Sequence, residues 1–223
     1  MGAVIGDLLP LAVGVAISPI PVLAAIMMIL SKNAAGAGRG FALGWVAGIA
    51  AATVIMVLLA GSMGGPADRQ PSTAGSWLKI ALGVLLLGLA VLQWRARADT
   101  AIPRWMRAIN ELTVGRAVGL GVLLSAVNPK NLLLCVSAGV VIGAGGISVG
   151  GQAVAVVVFT LLAAAGVLVV ILGYTLAADR LRAPLGRLRA WLQDNNHMVM
   201  AIVLLIMGAV VLGKGIGGFW PAR

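Results

Sequence analysis

The chain has 223 residues, of which 61% are hydrophobic and 10% charged, with a mean hydropathy of +1.09. A soluble domain carries about a quarter charged residues, so this composition excludes an ordinary soluble enzyme and points to an integral membrane protein. The net charge of +10 does not argue for nucleic acid as a partner, because the arginines sit in loops between apolar runs and suit membrane orientation and lipid head groups.

A bilayer crossing needs about 20 apolar residues, and that length predicts six spans. The first, near 5–31, has no basic stretch before it and carries Asp7 where a secretory signal would carry lysine. Its apolar run is also too long for a signal core. Within it, Ser18-Pro19-Ile20-Pro21 interrupts the helix, and Gly6, Gly14 and Ser18 share one face. The second span, near 40–61, opens on a ridge of Gly36, Gly40, Gly44 and Gly48. Such small-residue ridges let helices approach closely. A third span lies near 77–94, followed by a basic connector, 95–115, in which Trp105, Met106, Ile109 and Leu112 recur at helical spacing.

The fourth span, near 116–143, contains Asn128-Pro129-Lys130-Asn131 and the single cysteine, Cys135, read as a small buried residue. The fifth lies near 152–177. A second basic stretch, 179–196, repeats Leu181, Leu185, Leu188 and Leu192 with four arginines off that stripe. It reads as a short helix at the inner membrane surface, like the one in the first connector. The sixth span, near 197–215, starts at His197, read as an interfacial residue. Trp77, Trp94, Trp105, Trp191 and Trp220 fall at span ends, where amphipathic rings favour the head-group region.

Orientation follows from the loops. Lys32, Arg39, Arg95, Arg97, Arg104, Arg107, Arg116, Arg180, Arg182, Arg187 and Arg189 lie on one side, against Arg69, Lys79, Lys214 and Arg223 on the other. The first group belongs in the cytoplasm, so both termini are expected to be extracytoplasmic.

Three spans plus three spans give two halves of opposite direction, an inverted repeat. Ser18-Pro19 then corresponds to Asn128-Pro129 at an offset of 110 (18 against 128), and Gly40 corresponds to Gly150. The expected fold is therefore an all-α membrane protein of six transmembrane helices as a 3+3 inverted repeat. It forms one polytopic domain over 1–223, with repeat A about 1–94 and repeat B about 116–217.

The two breaks have a physical reading. A residue before proline is pushed out of the helical region. Serine and asparagine cap helix starts, and proline suits the first helical position. Each motif thus restarts a helix in mid-span, and such a break survives only when buried in protein or beside water. Two helix N-termini and the Lys130 ammonium would make a midplane site for an anion. The candidate substrate-binding residues are Lys130, Asn128, Pro129 and Asn131, with Ser18, Pro19 and Pro21 shaping the opposite half. A simple proline kink, with Lys130 snorkelling or bonded to a freed carbonyl, is the alternative. A charge in mid-span nonetheless marks a functional site by default.

These motifs, SAVNPKNLLL above all, together with LPLAVGVAISPIPVLAAIMMILS and RAWLQDNNHMVMAIVLLIMGAVVLGKGI, resemble the lysine-exporter (LysE) superfamily. Within it they look most like the GAP branch, the peptidoglycolipid-addressing (Sap-like) proteins, over nearly the whole chain. The resemblance implies a secondary exporter or lipid-translocation component of the cell membrane, and the GAP relatives imply an envelope glycolipid as cargo. Relatives that move electrons carry cysteines at the breaks, where this chain has Ser18 and Asn128. Relatives that export metals carry histidine-rich or acidic clusters, whereas His197 is the only histidine here.

The six acids, Asp7, Asp68, Asp99, Glu111, Asp179 and Asp194, are all read outside span cores. The cargo is therefore expected to be anionic or polar-headed rather than a cation. No catalytic triad, phosphate loop or metal-ligand spacing is present, so the expectation is no enzyme, no metal and no cofactor. Membrane lipids and a small-molecule or lipid substrate are the expected partners. A homo-oligomer or other export proteins stay open, as do a non-transporting scaffold of an envelope-lipid export machine and a small-solute channel.

Overall fold

The computed structural model describes residues 1–31, 34–63, 73–98 and 112–219, and every regular element among them is helical. Helices α1 (Gly2–Ala16) and α2 (Pro19–Ile29) form a pair bent by 52°. Helix α3 (Ala34–Met63) follows, then α4 (Thr73–Arg95), which ends in a short 3₁₀ turn, Ala96–Ala98. Helices α5 (Val114–Ala126) and α6 (Pro129–Gly143) form a second pair, bent by 66°. Helix α7, Val149–Gly217, completes the chain. Three of these helices are long and apolar enough to cross a membrane, and each bent pair also passes as one unit. The architecture is that of a multi-pass membrane protein.

The longest element departs from expectation. Spans over 152–177 and 197–215 were to be separated by an independent surface helix, yet α7 runs for 69 residues. A straight helix of that length would measure about 100 Å. It is divided at Ala177, whose φ of −147° and ψ of 51° are not helical. Beyond that point the basic stretch stays helical and feeds directly into the second limb. Within it, Asn195 Nδ2 donates to the Trp191 carbonyl one turn back, 2.9 Å away. Of the leucine stripe, Leu185 and Leu192 are buried and Leu181 packs against the core, whereas Leu188 is exposed. The companion stretch around Trp105, Met106 and Ile109 lies outside the described residues.

Glycines set the helix pairing. Along α3, a Cβ at Gly40 would come within 2.7 Å of the Val114 carbonyl, and one at Gly44 within 3.0 Å of Val118 Cα. Gly48 faces Ser125, and Gly121 returns the contact against the Trp45 nitrogen at 2.6 Å. The partner of the ridge is therefore α5, running parallel to α3. The register continues into α6, where Gly139 abuts the Thr53 carbonyl at 2.8 Å and Gly143 the Val57 carbonyl at 2.8 Å.

Helix α4 instead packs antiparallel to the second limb of α7, with Gly83 against Leu212 and Gly215 against Ile80. On α1, Gly14 meets Met207 and Leu134, but Gly6 has no neighbour within 4 Å. The small-residue face expected on span one is thus a contact only at its inner half.

These pairings separate the charges. The starts of α3 and α5, the end of α4 and the bend of α7 share one end of the bundle, with Arg39, Arg116, Arg95, Arg97 and Arg182. At the opposite end Lys214 pairs with Asp7 at 2.7 Å. Three end tryptophans, Trp77, Trp94 and Trp191, are exposed as expected at an interface. Trp94 carries the Arg97 guanidinium 4.5 Å above its ring, and Trp77 meets Phe219 edge-on at 5.4 Å. Trp105 and Trp220 lie outside the described residues.

Candidate functional site at the two helix breaks

Each break is built by its own dipeptide. Asn128 has extended backbone angles, and its Oδ1 accepts from the Lys130 N–H at 3.1 Å, so α6 starts on a side-chain cap with Pro129 at its first position. Upstream, the Ser125 hydroxyl donates back to the Gly121 and Val122 carbonyls at 2.9 and 3.0 Å. That pattern loosens and bends a helix end. Replacing Asn128 with alanine should therefore lower stability by about 1 kcal/mol. Thermal unfolding in detergent checks this, and an unchanged midpoint would show that Pro129 alone restarts the helix.

Ser18 differs from expectation. It is extended and precedes Pro19, but its side chain makes no cap hydrogen bond. Its hydroxyl is used across the molecule instead. Ser18 Oγ donates to Asn131 Oδ1 at 3.0 Å and accepts from Lys130 Nζ at 2.9 Å. Asn131 Nδ2 in turn donates to the Leu124 carbonyl at 3.0 Å. That carbonyl is the one a continuous helix would have bonded to the N–H of Asn128. One chain of hydrogen bonds thus joins the two breaks and satisfies a backbone group freed by the second.

Burial of this chain is nearly complete: Ser18 is 1%, Lys130 2% and Asn131 0% exposed. Pro19 and Pro21 are buried beside them, Asn128 is half-buried and Pro129 is exposed. The structure therefore gathers Ser18, Lys130 and Asn131, with Pro19 and Pro21 in the wall, and leaves Pro129 on the outside of the bundle.

An ammonium has three donors, and among the described residues only one of Lys130's finds a partner, the Ser18 hydroxyl. No described carboxylate pairs with it. The carboxylate of α1, Asp7, is held by Lys214 at the end of the bundle. That pair joins residues 207 positions apart, and nothing in the local pattern of either segment announces it.

Other singled-out residues take structural places. His197 Nδ1 lies 2.7 Å from Gln93 Oε1 and ties α7 to α4. Cys135 is a free buried thiol in the core. Trp45, absent from the interfacial set, is buried and stacks on Phe41 at 6.3 Å. Among the described residues no group of three metal-ligating side chains comes together.

No curated protein and no solved structure matches the chain. A family model does match, over residues 8–217, and it is described as Sap, sulfolipid-1-addressing protein. That stretch takes in both breaks, the Lys130 network and both limbs of α7, and the chain belongs to this family.

Proposed function

We propose that the protein is an exporter of the cytoplasmic membrane that moves an anionic, polar-headed envelope lipid past the paired helix breaks. The observation that carries this reading is the buried network in which Lys130 and Asn131 of one break bond Ser18 of the other. A charge held in mid-span against discontinuous helices is the arrangement by which transporters bind anions. The family description names a sulfolipid, whose head group is anionic, and the polarity of the site agrees with it.

The topology is read as six spans. Length supports this: the two bent pairs, α3 and α4 each pass as a crossing, and α7, divided at Ala177, has limbs on either side that each exceed the about 20 residues a crossing needs. Span one and span four run in opposite directions, as an inverted repeat requires, and the break residues of one half meet those of the other. The arginine-rich end is cytoplasmic by the positive-inside rule, which puts both termini outside. In a Cys135→Ala background, Arg187→Cys should be blocked by a membrane-impermeant maleimide only after permeabilisation. Labelling of intact cells at that position would reverse the orientation.

The deciding experiment is reconstitution. Purified protein in vesicles should move a sulfated glycolipid between leaflets with saturable kinetics and no other component. A scaffold for an export machine would not move it, and a channel would give conductance without saturation. Saturable export of lysine or of a divalent cation would overturn the anionic reading.

A further inference from the structure

The two ends of the bundle differ in the cavities they hold. Beside the Asp7–Lys214 pair the free space is only about 20 Å³, whereas the basic end holds a cavity of about 280 Å³. The larger cavity lies between the α2–α3 corner and the bend of α7. Its wall includes Ile29, Ala34, Arg39, Ile171, Tyr174 and Ala178.

The polar groups facing it are donors. Among the described residues Arg39 is the charged lining residue. Tyr174 is buried, and its hydroxyl oxygen accepts from Arg182 Nη2 at 3.2 Å, which leaves the phenolic hydrogen to donate elsewhere. The neighbouring Thr175 hydroxyl is spent on the Leu172 carbonyl at 2.7 Å. Among the described residues Asp179, one residue beyond the lining Ala178, is exposed and interacts with Arg182. Guanidinium and phenol donors beside an aliphatic wall match an oxyanion ester attached to a hydrocarbon chain. The cavity is at the small end of ligand pockets and suits a head group rather than a whole lipid.

We infer that this cavity binds a phosphate or sulfate head group at the basic end of the bundle, with Arg39 as its charged ligand and Tyr174, held by Arg182, as its second donor. The inference rests on the exporter reading only for the class of cargo: it is a loading site distinct from the Lys130 network.

The test is binding by the full chain in maltoside detergent, with dioctanoyl phosphatidic acid as probe and calorimetry as readout. Wild type should bind saturably. Arg39→Gln should weaken binding about tenfold, as expected for one charge-assisted contact. Ala34→Phe, which fills the cavity and leaves every charge in place, should weaken it at least as much. Arg187→Gln, on the basic stretch away from the cavity, should bind as wild type.

Dioctanoyl phosphatidylcholine should not compete. Inorganic phosphate that binds as tightly, and is lost in Arg39→Gln, would keep the anion site and assign it to a free anion. Equal binding by Arg39→Gln and wild type, or equal weakening by Arg187→Gln, would overturn the site. Because binding is read without translocation, a failed transport assay leaves this result standing. Transport by a protein that binds no anion through Arg39 defeats only this inference.

Discussion

Lys130→Met should leave a folded, well-expressed protein that no longer exports. The substitution keeps the length and apolar stem of the side chain and removes its charge. Lys130 is 2% exposed and has the Ser18 hydroxyl as its described partner. Burying an incompletely paired ammonium is costly, and replacing buried ionic groups by apolar ones of similar volume is often stabilising, here by about 1 kcal/mol. The unfolding midpoint should therefore hold or rise. Transport should fall about 100-fold, because losing a desolvated charge contact costs about 3 kcal/mol in the rate-limiting state. Opposite movements of stability and transport are the informative result. Normal transport would make Lys130 a structural lysine, and a collapse of both quantities would make the network a folding element.

The Ser18 contact gives this prediction a second arm. Ser18→Ala removes the oxygen that accepts from Lys130 and the hydrogen that Asn131 accepts. It leaves two buried polar groups without a described partner, which costs about 1–3 kcal/mol each. Ser18→Ala should thus lose stability where Lys130→Met does not. On the exporter reading proposed above, the breaks would have to separate for Lys130 to exchange the Ser18 hydroxyl for cargo.

How much of this was legible in the sequence depends on the range of each interaction. The helix restarts at Pro19 and Pro129 are local, since a capping residue and a proline carry the information within two positions. Proximity of Ser18 to Lys130 spans 112 positions. The sequence offered it only through the expectation of two corresponding halves, and the cap role expected of Ser18 was replaced by the cross-break bond. The bend at Ala177 was hidden because neither glycine nor proline marks it. Pairing of Asp7 with Lys214 was hidden because it depends on α1 lying against the second limb of α7. The cavity behind Arg39 exists only once that bend meets the α2–α3 corner, so Arg39 read as one orientation charge among many.

Gly44→Ala should be the most damaging small substitution in the bundle. Its new Cβ would press into the Val118 carbonyl and lie 3.0 Å from Val118 Cα. Backbone cannot swing aside as a flexible side chain can, so α3 and α5 must separate along the ridge of Gly40, Gly44 and Gly48. Overpacking of this kind costs about 3 kcal/mol. The damage should spread to function, because α5 ends at Ala126 and carries the Leu124 carbonyl that holds Asn131. Gly88 supplies the control, since a Cβ there meets nothing within 4 Å. Gly88→Ala should be neutral or stabilising by up to about 1 kcal/mol through helix propensity. Unfolding midpoints in detergent compare the two directly. A Gly44→Ala protein as stable as the Gly88→Ala one would mean that α3 and α5 are not held at this distance, and that the position of Asn131 is set by α6 and Ser18 instead.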